Sequence, residues 1–442
     1  MNINKSTLNT KYKHIFFILH ICMGMTSISH AKILTWKDNI PSSLSQFQNN
    51  PEQLAHLAQD KIVIYTLPAT KTSLPTLKTD PNPIANFTTA AVVVPVSPSA
   101  VEKTIGNYAE YVGLYPTLKS AKILERSGNI TQVKYKVSIP TPIPVLNFNE
   151  DVTFQHQLDK NSLASIVIDA PIPYGVGKIE WFRLAENKTL ITLTQWGDLN
   201  HPKGFVFSKI MNAVPEAKLG IPSGTNTFIL ESLRKRFSAN TKTTTLSAGE
   251  FPQVYLSPAQ LEKVSQLSQN TQHPVSFVHL PSSVPYKHSN ENLRFVTTYQ
   301  YYSQSPQQLQ KWTQPNAYKM LFPRQIKSIK TTALEHGSQD AEFKVSVGLG
   351  VINIPFHFKM NFNYPNATSN AFYANGGDLK YIKGTTEFNA HAKGTLLKMV
   401  TAMKIDEKAP FLIRAARSLP YHDVLPTVGG NVVFAEKIKA KN

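Results

Sequence analysis

The 442-residue sequence predicts an α+β protein built twice, each half a curved antiparallel sheet wrapped around a long C-terminal helix. Three observations carry that reading. "VSPSAVEKTIGNYAEYVGLYP" from Val96 and "QSPQQLQKWTQPNAYKMLFP" from Gln304 both place Ser before Pro at the start of a helical run. The two Ser-Pro pairs stand 208 residues apart, as do Lys119-Ser120 and Lys327-Ser328. Much later, "PSGTNTFILESLRKRF" (Pro222 to Phe237) returns as "PTVGGNVVFAEKIKAKN" (Pro426 to Asn442). Asn226 and Asn431, Glu231 and Glu436, and Leu233 and Ile438 are matched there at a spacing of 205. Between these anchors both halves alternate apolar and polar residues with the period of a strand. One match is chance, but two sets in the same order at nearly one spacing are a duplication.

At the N-terminus, Lys5, Lys11 and Lys13 precede the apolar run "IFFILHICMGM", and small residues follow at Ser29 and Ala31. This is the pattern of a secretory signal peptide, residues 1–31, cut after Ala31. Its apolar core, about 11 residues, falls well short of the roughly 20 needed to cross a bilayer. Ile21 stands before Cys22 where a lipid-attachment site needs a small residue, which counts against a lipid-modified N-terminus.

A lead-in over 32–84 contains "PEQLAHLAQDKIVIYT" and reads as helical or extended. The first copy spans 85–238. It opens with the strand "TTAAVVVPV", then a helix with Ser97 as N-cap and Pro98 at its first position. Pro116 disfavours helix at Tyr115 and donates no backbone bond, so the helical stretch stops there. Tyr108, Tyr111 and Tyr115 lie along one helix flank, where packing of the small helices onto the sheet accounts for them. The meander begins with "TQVKYKVSI", which puts Val133, Tyr135, Val137 and Ile139 on one face, and continues through "EDVTFQHQL", "LASIVIDA", "KIEWFRLA" and "KTLITLTQWG". The connections "IPTPIPVLN" and "DAPIPYGVG" carry Pro at alternate positions, which either simply stiffens the loops or also presents Ile143, Val145, Ile172 and Tyr174 for contact with lipid or a partner.

A linker and second lead-in, 239–292, includes "SPAQLEKVSQLSQ". The second copy, 293–442, repeats the order with "LRFVTTYQYY", the second Ser-Pro helix, and "EFKVSVGLG", "FHFKMNFNY", "NAFYANGG", "GTTEFNAHAKG" and "LLKMVTAMKI". The closing helices end in "RKRF" and "KIKAKN", cations that suit a helix C-terminus in both copies.

Composition is that of a folded chain, 41% apolar and 17% charged. Cys22 is the only cysteine, so the mature chain has no disulfide, no Cys-ligated zinc and no thiol nucleophile. A bacterial periplasm is the expected compartment. The formal net charge of +18 becomes +15 without the three leader lysines. In a cytosolic protein that balance would point to nucleic acid. Behind a signal peptide it points to an anionic membrane or envelope surface, or simply to solubility, and no nucleic acid is expected.

"SPSAVEKTIGNYAEYVGLYPTLKSAKILERSGN" resembles the opening of the START-like superfamily, also called the polyketide cyclase/lipid-transport or SRPBCC group. That opening is a helix, an aromatic-rich end before a Pro, and then a strand, and the coenzyme-Q-binding proteins share it. The resemblance covers most of 85–237 and reaches 293–442 through the internal repeat, where Trp312 and Gln314-Pro315 depart from the pattern. It implies a helix-grip fold in each copy, with an apolar cavity between sheet and C-terminal helix. It also implies binding of a lipid, quinone, sterol or polyketide, with or without cyclase or hydrolase activity.

Chemistry-bearing motifs are sparse. No His-Glu-x-x-His, no Gly-x-Ser-x-Gly and no glycine-rich phosphate loop occurs, and no two mature-chain histidines stand at the i, i+4 spacing of a helical metal pair. Glu150 and Asp151 are neighbours on a strand and face opposite sides. No catalytic residue, metal or cofactor is therefore assigned. The candidates for lining a cavity are Tyr135, Trp181 and Trp196 on the first meander, Phe228 on its closing helix, and Phe343 and Phe434 in the second copy. The expected function is non-catalytic binding or carriage of a hydrophobic small molecule or lipid. Two alternatives stand beside it. A clustered His, Asp or Glu set in a cavity would favour a cyclase or hydrolase, and a cavity below roughly 300 Å³ would favour an interaction module filled by its own side chains.

Overall fold

The computed structural model describes residues 33–442 other than 140–147, 204–207, 209–210, 239–242, 287–288, 350–351 and 408. The expected signal peptide and the "IPTPIPVLN" connection, with Ile143 and Val145, lie outside the described residues.

The first lead-in forms helix α1 (Pro51–Ala58) and strand β1 (Ile62–Thr66). Strand β2 (Thr88–Val94) follows, then α2 (Pro98–Gly106). Ser97 caps α2 as expected, its hydroxyl accepting from Ala100 N at 3.4 Å. A short helix, Tyr111–Leu114, ends at Tyr115, before Pro116. The meander is β3 (Leu118–Ser127), β4 (Ile130–Ile139), β5 (Phe148–Asp159), β6 (Ser162–Asp169), β7 (Gly175–Ala185) and β8 (Lys188–Gly197). The long helix α3 (Ala217–Phe237) closes the copy.

The second half repeats this order. It has α4 (Pro258–Thr271), β9 (Val275–Tyr286), β10 (Ser289–Tyr302), a short helix Pro306–Leu309 capped by Ser305, and the meander β11 (Ile326–Ala333). Strands β12 (Gln339–Leu349), β13 (Ile352–Asn366), β14 (Ser369–Gly377), β15 (Tyr381–His391) and β16 (Gly394–Lys404) continue it, before α5 (Leu425–Lys439).

Each meander pairs strand to strand, and its last strand pairs with the opening strand: β8 with β2 and β16 with β10. Outside that opening strand each copy adds its lead-in strand, β1 beside β2 and β9 beside β10. β1 and β9 then pair with each other antiparallel, Val63 opposite Phe277, so the two halves share one sheet, and the two-residue strand Thr244–Thr245 beside β9 brings it to seventeen strands among the described residues. Equivalent strands paired antiparallel form a self-complementary contact, the geometry of a two-fold dimer interface inside one chain.

This explains why "KIVIYT" reads as an unbroken apolar run. Both faces of β1 are covered, so alternation between polar and apolar residues is lost. Ile62 and Ile64 pack on the inner face with Val92, Leu230, Leu233 and Val428. Val63 and Tyr65 pack on the outer face with Phe47, Leu54, Leu57, Val264 and Phe277. The lead-ins, expected as helical or extended preludes, sit at the centre of the molecule and cover the outer face of the sheet.

The inner face holds both closing helices. Asn226 on α3 is fully buried, donating to Thr88 O at 2.9 Å and accepting from Gln195 Nε2 at 2.6 Å. Asn431 on α5 does the same work, donating to Val296 O at 3.3 Å and accepting from Thr401 Oγ1 at 2.6 Å. The repeated asparagine is thus a pin that fixes each helix to the opening strand of its own sheet. The two helices also touch each other: a Cβ on Gly220 would lie 2.8 Å from Gly429 Cα. Toward the C-terminal end of α3, buried Glu231 accepts from Arg234 at 2.5 Å and lies 2.9 Å from Arg294 of the other copy.

Candidate functional site

Between α3 and the inner face of the first sheet lies a cavity of about 500 Å³. Its walls are mostly apolar: Val137, Val152 and Phe154 from the early meander, Ile179, Leu193 and Trp196 from the late meander, and Ile221 and Phe228 from α3. A long helix closing a six-stranded antiparallel meander over an apolar cavity decides the fold. Both copies have the helix-grip fold.

Solved structures with a similar arrangement include the di-domain aromatase/cyclase BexL of the BE-7585A biosynthetic pathway, at 10% identity over 80% of this chain and 97% of that chain with a TM-score of 0.25. The di-domain aromatase/cyclase StfQ of the steffimycin pathway aligns at 8% identity over 80% of this chain and 98% of that chain, TM-score 0.24. A START superfamily protein from Mycobacterium smegmatis aligns at 16% identity over 35% of this chain and 97% of that chain, TM-score 0.27. No family model matches the sequence and no curated protein does.

In the first copy the polar groups on the cavity wall form a chain. Tyr135 Oη lies 2.9 Å from His156 Nε2, and His156 Nδ1 lies 2.8 Å from Ser165 Oγ. Strand register makes this possible, because His156 faces Ser165 across β5 and β6 while Tyr135 sits one strand away on β4. Tyr108 stacks on the His156 ring at 4.8 Å and Tyr111 on Tyr135 at 5.9 Å. Burial drives the His156 pKa down to about 3 and pushes the Tyr135 and Tyr111 hydroxyls up, so all three are neutral at physiological pH.

A neutral imidazole has one donor and one acceptor nitrogen. If Tyr135 donates to Nε2, Nδ1–H donates to Ser165, whose own hydrogen is left for the cavity. If the tautomer reverses, Ser165 donates, and the Tyr135 hydrogen is left instead. Either way the relay offers one spare hydroxyl donor, and an oxygen acceptor on a ligand is what it can hold.

The second copy replaces the relay with hydrocarbon. Lys136-Val137-Ser138 matches Lys344-Val345-Ser346, which aligns Tyr135 with Phe343. Strand pairing then aligns His156 with Phe362, Ser165 with Phe372 and Val152 with Phe358. Phe343 stacks on Phe358 at 4.9 Å, Phe362 packs on Phe372 at 5.7 Å, and Tyr318 meets Phe434 at 5.4 Å. Phenylalanine rings thus stand at the relay positions and pack on one another.

Of the residues expected to line a cavity, Tyr135, Trp196 and Phe228 do so. Trp181 does not. It is on the inner face but only 1% exposed, packed in the core with Val101 and Ile105 of α2 nearby in the same cluster. Phe343 and Phe434 belong to the filled interior of the second copy. Tyr111 and Tyr115, read as packing residues, both pack and line the cavity. Ile172 of the second Pro-rich connection also borders it, whereas Tyr174 packs against the outer core. His156 and Ser165 were missed because a lone His and a lone Ser in "FQHQL" and "LASIV" have no local signature; only cross-strand register joins them. Among the described residues no group of His, Cys, Asp or Glu is arranged to hold a metal.

Proposed function

We propose that the first copy binds and carries a hydrophobic small molecule bearing one oxygen acceptor, and that it does so in the cell envelope after removal of residues 1–31. The observation that carries this reading is the contrast between the copies. One fold, duplicated, keeps a cavity of about 500 Å³ with a Tyr135–His156–Ser165 relay in the first half and substitutes phenylalanine at all three relay positions in the second. That volume is in the range of small-molecule sites and above the size expected of a filled module. The basic surface suits work beside anionic lipid. The second copy fits the role of an interaction module, holding α5 against α3.

A cyclase or hydrolase acting in the same cavity has less support. Among the described residues no Asp or Glu lines the cavity. An imidazole whose pKa is about 3 is a poor general base near neutral pH, where a catalytic base is best matched to the operating pH.

Native mass spectrometry of the protein purified from periplasm, followed by solvent extraction, tests the reading. A co-purifying lipid of defined mass is the expected result. A clean apo mass that does not shift after incubation with envelope lipids would remove the carrier assignment. The measured mass of the mature chain also reports whether cleavage follows Ala31.

A further inference from the structure

On the other side of α3 lies a second space, an open groove of about 450 Å³ where α3 crosses α5, bordered by Gly220, Gly224, Leu425, Gly429 and Val433. Cavity and groove have Thr117, Ile221, Thr225 and Phe228 in common. A residue that borders both spaces is the full thickness of wall between them, so the partition is one residue deep. The stretch also lacks one backbone hydrogen bond of the helix. Pro222 has no N–H to give the carbonyl of Lys218. Phe228 is half-buried, resting on Tyr115 at 6.3 Å and Tyr421 at 5.6 Å.

The groove floor is bare. At Gly220 the backbone of Gly429 leaves no room for a side chain, which accounts for that glycine. At Gly224, mid-helix, a Cβ would meet nothing within 4 Å. Glycine there weakens the helix without any internal packing reason, and an occupant lying across the backbone would supply one.

We propose that the ligand of the first copy is longer than its cavity: a single-chain amphiphile whose oxygen meets the Tyr135–His156–Ser165 relay and whose tail crosses the Ile221–Phe228 partition into the groove. The inference rests on the carrier reading and deepens it. A cavity of this size encloses a drug-sized molecule; a longer chain must leave it, and the groove is the adjoining apolar space. The second copy thereby takes part in binding despite its filled interior, since α5 provides Leu425, Gly429 and Val433 as the far wall.

Farnesol and hexaprenol, which share a head group and differ in chain length, are the probes, and Gly224→Leu and Val433→Phe obstruct the groove from opposite helices. The full mature chain is expected to bind both alcohols. Each variant should weaken hexaprenol by about tenfold or more while leaving farnesol unchanged. Wild-type protein that binds neither alcohol would remove the carrier reading and this inference with it. Wild-type protein that takes farnesol but refuses hexaprenol would overturn the inference alone. So would variants that bind both alcohols as before, or that lose both with melting temperatures unchanged. The two substitutions lie on separate helices, so misfolding of one leaves the other to decide.

Discussion

His156 is 5% exposed, and both its ring nitrogens are engaged with hydroxyls. His279, 4% exposed and 2.7 Å from Thr297 Oγ1, is a second buried imidazole, its pKa also lowered to about 3 by burial and then by Lys61. A base whose folded pKa lies below its unfolded value gains a proton on unfolding. Stability is therefore held above about pH 6.5 and lost as pH falls toward about 3, at up to about 1.4 kcal/mol per pH unit for each histidine. Denaturant unfolding between pH 6.5 and 5, before most carboxylates titrate, should show this decline, and His156→Phe should make it less steep. An unchanged slope would mean that His156 is not held neutral. The combined variant Tyr135→Phe, His156→Phe and Ser165→Phe copies the second half's interior and should fold while losing the ligand, as read by native mass spectrometry. Gly224→Ala, with free space at its Cβ, should raise stability by about 0.5–1 kcal/mol in thermal melts.

At the scale of elements, each closing helix is joined to its sheet by one asparagine. Asn226→Ala would leave the Thr88 carbonyl and the Gln195 amide without their buried partner, and Asn431→Ala would do the same to the Val296 carbonyl and Thr401 hydroxyl. Each substitution is expected to cost about 1–3 kcal/mol in denaturant unfolding. The two should differ in consequence. Asn226→Ala loosens the helix that roofs the cavity and should weaken ligand binding as well. Asn431→Ala loosens α5, which borders the groove and not the cavity, so it should leave binding of the short farnesol unchanged. Equal losses of farnesol affinity from both would contradict the division of labour between the copies.

For the whole molecule, the central pair β1–β9 and the crossing of α3 over α5 make the two copies one body. Glu231 neutralises Arg234 of its own helix and Arg294 of the other copy, and both guanidinium groups are 5% exposed or less. Removing the carboxylate with Glu231→Ala takes Arg234 from its carboxylate partner and leaves Arg294 only Asp423 at 3.7 Å, and should destabilise the chain by about 3–5 kcal/mol. Because Arg294 belongs to the second copy, that loss should appear as one cooperative transition shared by both halves. Two separate transitions would show that the copies unfold independently.

Much of this architecture was legible in the chain. The Ser-Pro caps, the 208-residue spacing and the alternating runs are local or periodic features, and local physics carries them: a cap hydroxyl reaches its own helix, and a strand's faces alternate whatever lies beside it. The matched Asn226 and Asn431 were visible as a repeat, though not as pins, since their partners at Thr88 and Val296 are more than a hundred residues away. What the tertiary structure decided is what depends on register between distant segments. Cross-strand pairing joined Tyr135, His156 and Ser165, sent Trp181 into the core, and placed phenylalanines opposite one another in the second copy. Pairing of β1 with β9 turned an unassuming lead-in into the centre of the sheet. Composition is nearly silent on such points, because an aromatic that fills a core and one that lines a cavity are the same residue until the opposing face is known.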